Sequence, residues 1–201
     1  IVERGIMWNA VLEILKEKVK EGVEVRVMYD GMCSIVLLPY NYPKQLQKFG
    51  IKAKMFAPII PFVSTSQNNR DHRKIVVIDG KVAFTGGVNL ADEYINEKVL
   101  YGHWKDVAVK ITGDAVRSFT VMFLQMWNVS EKGKEDYGKY LDGIEYGQPL
   151  YHDGFVIPYG GTPTMKEELT KTVYESMIHN AVKYVHIMTP YFIVEQGFLD
   201  S

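Results

Sequence analysis

Asn69-Arg70-Asp71-His72-Arg73-Lys74-Ile75-Val76-Val77-Ile78-Asp79-Gly80-Lys81-Val82-Ala83-Phe84-Thr85-Gly86-Gly87-Val88-Asn89 is the stretch on which the reading of this chain turns. Ile75 to Ile78 is a continuous apolar run, the pattern of a strand buried on both faces. Asp79-Gly80 is a two-residue hairpin signal, and Lys81 to Thr85 reads as the returning strand. The same residues spell H-x-K-x4-D-x6-G-G-x-N. Side chains two apart on a strand share a face, so His72 and Lys74 look the same way. Gly86 and Gly87 close the second strand and let backbone approach a ligand. Asn89 follows with a side-chain amide donor.

Those parts suit attack on a phosphodiester. Charge builds on the phosphate oxygens during displacement, and Lys74 and Asn89 would stabilise it from fixed positions. An imidazole titrates near pH ~6.5, so His72 can serve as nucleophile or as acid and base. Its second ring nitrogen needs an acceptor. Asp106 is the candidate, at the start of the run Asp106-Val107-Ala108-Val109-Lys110-Ile111, which reads as a neighbouring strand. Asp79 is expected to hold the hairpin turn and is kept as a further candidate for the chemistry. Gly87 is a candidate phosphate contact with Lys74, Asn89 and His72 itself. His103 and Trp104 flank Asp106 and are candidates to line the site. His152, His179 and His186 lack metal-like spacing, and with no Cys cluster or H-E-x-x-H no metal centre is expected.

Elsewhere the chain alternates between the two regular periods. Trp8, Val11, Leu12, Leu15 and Val19 mark an amphipathic helix, ended by Gly22. Val23, Val25, Val27 and Tyr29 alternate with Glu24, Arg26 and Met28, so a strand follows. Lys44 to Phe49 reads as a short helix. Val116, Phe119, Phe123 and Trp127 lie on another, with Asp114 as its cap. Met55 to Val63 is apolar but broken by Pro58 and Pro61, which excludes a regular helix or a central strand. Its favoured reading is a buried connection under the site, the rival a loop facing acyl chains. Residues 129–160 read as a linker or irregular segment. Thr164 to Glu167 is a capping box opening a helix through about Ala181, and Tyr184 to Ile193 reads as a strand. The architecture is therefore α/β, with helices on both faces of a sheet.

Ile1-Val2-Glu3-Arg4-Gly5-Ile6 is echoed by Ile193-Val194-Glu195-Gln196-Gly197-Phe198, an offset of 193 − 1 = 192 residues. The chain then holds about one period of a two-fold repeat. On this reading residues 1–128 are one half lacking its opening strand, and 161–201 are the start of a second. Strand 184–193 is expected to fill the vacant sheet position, in cis or from a second chain.

The chain has 201 residues, 47% of them hydrophobic, and a formal net charge of −1. That balance supports a real core and argues against bulk nucleic-acid binding. A local basic cluster of Arg70, Arg73, Lys74 and Lys81 remains near the motif. Cys33 stands alone, so no intrachain disulfide forms, in keeping with a reducing compartment. No run approaches ~18 apolar residues, so no spanning helix is expected. No signal peptide is visible. The start at Ile1 and the stop at Ser201 read as those of a fragment, itself soluble, of a longer protein.

The His72–Gly87 block resembles the HKD motif of the phospholipase D superfamily, and more closely the first HKD block of bacterial cardiolipin synthases. Tyr101-Gly102-His103-Trp104-Lys105-Asp106 and Thr189-Pro190-Tyr191-Phe192-Ile193 are similar to the same synthases. The resemblance implies a phospholipase D-like mixed β-sheet flanked by helices on both faces. It implies two-step phosphatidyl transfer with no metal or other cofactor. One HKD histidine forms a phosphohistidine, and the other protonates the departing alcohol and activates the incoming one. The usual reaction joins two phosphatidylglycerols, giving cardiolipin and glycerol. His72 would be one of the two histidines, and Lys74 and Asn89 would match phosphate-binding positions. The membrane would be met through the parent protein, at the bacterial cell membrane. Asp71 and Lys105 depart from commoner residues of the family and put its fine electrostatics in question, while Gly87 replaces the Ser of the wider superfamily, although Gly-Gly is familiar in synthases. The larger departure is that no second H-x-K-x4-D occurs in the chain, so the other half must come from elsewhere. Two rival readings stay open: a single-motif phosphodiesterase or nuclease completed by homodimerisation, and a silent domain that binds lipid head groups.

Overall fold

A computed structural model of the protein describes residues 1–32, 34, 36–58, 70–100, 102–131, 133, 135–146, 154–161 and 168–188. The chain divides into two compact units, Ile1–Ile157 and Pro158–Ser201.

The first unit opens with α1 (Ile6–Lys20). Its apolar stripe of Trp8, Val11, Leu12, Leu15 and Val19 packs into one core with Tyr29, Leu46 and Ile51. Gly22, at φ 89, ends the helix. Its N–H bonds to Val19 O and that of Val23 to Lys18 O, both at 3.0 Å, the two bonds of a Schellman motif. The other end has no local cap. Asp92, in a 3₁₀ turn (Asp92–Ile95), accepts the N–H groups of Ile6 and Met7, both at 2.9 Å. These amides hold its carboxyl below the usual carboxylate range.

β1 (Arg26–Asp30) pairs in parallel with β2 (Lys52–Phe56), and α2 (Tyr42–Gln47) lies between them in sequence. β1 starts later than the alternation from Val23 suggests. β2 takes Met55 and Phe56 out of the proline-containing segment, whose remainder from residue 59 lies outside the described residues.

The second sheet is antiparallel, in the order β3 (Ile75–Ile78), β4 (Val82–Gly86), β5 (Ala108–Thr112). Its hairpin has Asp79 at φ 53 and Gly80 at φ 65, the left-handed pair of a type I′ turn. This pairs Ile75 with Thr85 and Ile78 with Val82. α3 (Ala115–Asn128) covers one face, burying Ala83, Val116 and Phe119 against Ile75, Val77 and Ile111. The opposite face stays open, with Val76 53% and Ile78 49% exposed. The expectation of a strand buried on both faces is therefore corrected. An unbroken apolar run does not show how many layers cover it, and antiparallel sheets need only one. The α/β class stands, with parallel and antiparallel pairing kept in two small sheets. Asp114 precedes α3 as expected, but its side chain makes no capping bond.

Much of the expected linker is packed on this unit. Arg26 forks onto Glu135 at 3.0 and 2.6 Å, and its guanidinium lies over the rings of Trp127 and Tyr140. This hydrogen bonding holds the Glu135 carboxyl down to about 2. A short helix α4 (Gly138–Leu141) follows, and Tyr146 packs beside Ala83 and Phe119.

In the second unit, α5 (Leu169–His179) matches the expected helix. Its proposed capping box, Thr164 to Glu167, lies outside the described residues. Tyr184 to Met188, the described part of the expected strand 184–193, form no strand. Alternating apolar side chains make a strand only where a neighbour takes up the backbone groups. The rest of that segment, and the second copy of the repeat, lie outside the described residues.

The hairpin is the most demanding turn of the first unit. A Cβ at Gly80 would lie 2.3 Å from Ile144 Cδ1, in a backbone region that L side chains enter at a cost of about 1–2 kcal/mol. Gly80→Ala should lower unfolding free energy by at least about that much in chemical denaturation. An unchanged midpoint would show that the turn does not set the β3–β4 register.

Candidate active site

The site forms where the end of β1, the residues leading into β3 and the loop after β4 come together. β1 ends on Asp30, whose side chain is 2% exposed. Its Oδ1 accepts the Met32 N–H at 2.9 Å and its Oδ2 the Asp71 N–H at 3.2 Å. Arg70 Nη1 lies 3.6 Å from Oδ1. A buried carboxylate is tolerated only with such partners. Arg70 also donates to the Ala57 carbonyl at 2.9 Å, just beyond β2. The ends of both parallel strands are thereby tied to the segment that carries His72.

His72 and Lys74 meet as the spacing predicts. Lys74 Nζ lies 2.9 Å from His72 Nε2 and donates to the His72 carbonyl at 2.8 Å. An ammonium only donates, so Nε2 is the acceptor and the neutral ring carries its proton on Nδ1. Partial desolvation of the ring, although His72 is exposed overall, holds the imidazole below its usual pKa, aided by the charge of Lys74 and opposed by Asp30 and Asp71. The sign follows from linkage. A lowered folded-state value stabilises the folded chain in full above the unfolded value of ~6.5, and that contribution is lost as pH falls below it. Near pH 7 the ring is an unprotonated base with its lone pair beside a cation.

Asn89 is 3% exposed. Its Nδ2 donates to the Tyr94 hydroxyl, and its Oδ1 accepts from Ile1 N at 3.1 Å. The amide has a second N–H besides the one given to Tyr94.

Three expected roles change. Asp106 stands just before β5, but its Oδ1 accepts its neighbour Val107's N–H at 2.7 Å and its Oδ2 the Trp104 indole N–H at 3.3 Å. The carboxylates acting on His72 are instead Asp30 and Asp71. Gly87 gives its N–H to Val107 O at 3.1 Å and so offers no such donor to a phosphate. What it admits is Asp106, since a Cβ there would lie 2.2 Å from Oδ1. Asp79 lies in the hairpin at the far end of β3, five residues from Lys74 or roughly 16 Å at strand rise, and the fold keeps it out of this group.

Trp104 does line the loop. Its ring lies 4.8 Å from that of Tyr94, and Asn96 clamps its backbone N–H at 2.6 Å and carbonyl at 3.0 Å. His103 is exposed. The basic cluster is largely neutralised: Arg73 is paired with Asp71 at 2.8 Å, Arg70 lies against Asp30, and Lys81 follows the distant turn. A cleft of about 680 Å³ opens at the starting ends of β1 and β2. Its cations Arg26, Lys52 and Lys54 are engaged with Glu135, Glu24 and Glu131. Among the described residues no group of His, Cys, Asp and Glu gathers as a metal would need, and no helix is long and apolar enough to cross a membrane.

Sequence reasoning missed Asp30, Tyr94 and Asn96. A signal for Asp30 was present: Asp30-Gly31 ends an alternating strand, and ligand sites of α/β sheets collect at the carboxyl ends of parallel strands.

An α/β unit that sets H-x-K-x4-D on a hairpin, with the imidazole against the ammonium, defines a phospholipase D-type domain. The chain belongs to the family described as cardiolipin synthase, phospholipase D-like domain, which matches residues 7–127. It is 52% identical over 195 residues to an uncharacterized protein of Streptococcus mutans, covering 97% of this chain and 42% of that protein. It is 35% identical over 206 residues to a cardiolipin synthase of Alkalihalophilus pseudofirmus, covering 100% of this chain and 40% of the relative. It is likewise 35% identical over 204 residues to cardiolipin synthase 2 of Staphylococcus epidermidis, with coverages of 100% and 41%. The chain thus spans about two fifths of the length of these relatives.

The Lys74 charge acts directly on the imidazole. Lys74→Met should raise the His72 titration midpoint, read by NMR of the ring carbons. A midpoint that stays put or falls would contradict the contact.

Proposed function

We propose that this chain supplies one half of the site of a cardiolipin-synthase-type phosphatidyltransferase. The observation that carries the reading is the Lys74 ammonium 2.9 Å from the unprotonated Nε2 of His72, inside the family's motif. Nε2 attacks the phosphorus of a phosphatidylglycerol, and the P–O bond to glycerol breaks. The leaving oxygen takes its proton from an acid on the other half, and glycerol departs. The phosphohistidine is then attacked by a hydroxyl of a second phosphatidylglycerol, whose proton returns to that group, giving cardiolipin. Lys74 and the free N–H of Asn89 hold the phosphoryl oxygens as charge builds. Asp106, set by Gly87 and Trp104, positions the loop facing them. Its expected bond to the imidazole would require its carboxylate to turn from Val107, a change that substrate or the second half would have to favour.

Two features support a half-site. The chain has one H-x-K-x4-D. The sheet face that continues from His72 and Lys74 leaves Val76 and Ile78 about half exposed, apolar surface suited to a covering partner. That partner would be a second HKD half in cis or from another chain, and the parent would work at the cytoplasmic side of a bacterial membrane.

The test is conversion of labelled phosphatidylglycerol to cardiolipin by the protein carrying this chain together with a second H-x-K-x4-D segment. His72→Ala should lower the rate on the order of a thousandfold or more, while this chain alone, verified as a monomer, should be inactive. Turnover by the monomer, or unimpaired His72→Ala, would sink the proposal. A requirement for dimers of this chain would favour the homodimeric phosphodiesterase reading.

A further inference from the structure

We propose that Asp30 is a positioning residue of this site: from the buried end of β1 it holds the Asp71 amide and faces the Arg70 guanidinium, fixing the chain just before His72 and setting a negative charge near the imidazole. The role rests on the reading of His72 as the reactive group.

Asp30 is placed unlike an ordinary strand-end acid. Both oxygens take backbone N–H groups, Met32 at 2.9 Å and Asp71 at 3.2 Å. The first bond closes β1's own turn. The second crosses 41 residues to the amide immediately before His72. Arg70, 3.6 Å away, carries the tie on to Ala57 past β2. One carboxylate therefore joins the two parallel strand ends to the segment leading into β3. With the side chain 2% exposed, solvent can neither replace these bonds nor screen the charge well.

The groups acting on His72 fall into two sets. Lys74 disfavours its protonation, and Asp30 and Asp71 favour it. Asp71 is already forked onto Arg73 at 2.8 and 3.0 Å, which leaves Asp30 as the buried member of the acidic pair. Its charge offsets that cation, so a ring left neutral for attack still accepts the charge it acquires when phosphorylated.

The experiment is an NMR titration of this chain with Asp30→Asn, which keeps the shape and removes the charge. The His72 midpoint should fall, and the Asp71 amide should exchange with solvent on the order of tenfold faster, the loss expected for one hydrogen bond to a charged acceptor. A second measurement needs no substitution: in the parent chain the Asp30 carboxyl carbon should show an inflection at the His72 midpoint. If Asp30→Asn does not fold, that inflection decides. No inflection, or an unmoved His72 midpoint in folded Asp30→Asn, overturns the inference. A purely structural role would alter exchange and leave the His72 midpoint in place. Because neither readout is activity, failure here leaves the proposed transfer standing, and failure of the His72→Ala activity test leaves this coupling standing.

Discussion

A carboxylate sealed inside a protein must be met by donors, and at Asp30 those donors come from β1's own turn and from the segment before β3. Placement of the hairpin depends on this constraint. Among the described residues the two sheets share no ladder, so no strand pairing there fixes one against the other. The Asp71 amide and the Arg70 guanidinium provide that connection, and both flank the residue with the chemistry. Asp92 plays a similar part elsewhere, binding the loop after Asn89 to the start of α1. Two acids thus hold the segments on which His72 and Asn89 sit.

The pairing of His72 with Lys74 is an electrostatic contact that, on the proposed reading, prepares a nucleophile. A cation 2.9 Å from Nε2 keeps that nitrogen unprotonated. Attack on an anionic diester needs both the nitrogen and the cation, and a strand supplies them from residues two apart. The open face beyond, with Val76 and Ile78, shows the same economy of layers. One helix covers the sheet from behind, and the reactive side chains continue the uncovered surface.

What the sequence made legible was local. Asp79-Gly80 specified a type I′ turn because both positions must enter the left-handed region. The stripes of α1 and α3 were readable from their spacing, and the fold class followed from the alternation of strands with helices. What was not legible depends on who sits opposite whom. Ile75 to Ile78 looks the same whether one face or two are covered. Gly87 looks like a phosphate loop until Asp106 is found against its α-carbon. Asp106 has the right distance in sequence to serve His72, but the indole of Trp104 and the amide of Val107 claim it in this state. Tyr184 to Met188 alternates correctly and forms no strand among the described residues. Asp30-Gly31 closes a readable strand, but its ties to Arg70 and Asp71 lie about forty residues on, a separation that no local pattern reports.

The central claim is that the imidazole of His72, the ammonium of Lys74 and the carboxamide of Asn89 act on one phosphoryl group. NMR titration of this chain with dimethyl phosphate, a bare phosphodiester, reads all three side chains at once. The account predicts that their signals shift together along one saturation curve. A response from Lys74 alone, or three curves with unrelated midpoints, would contradict it.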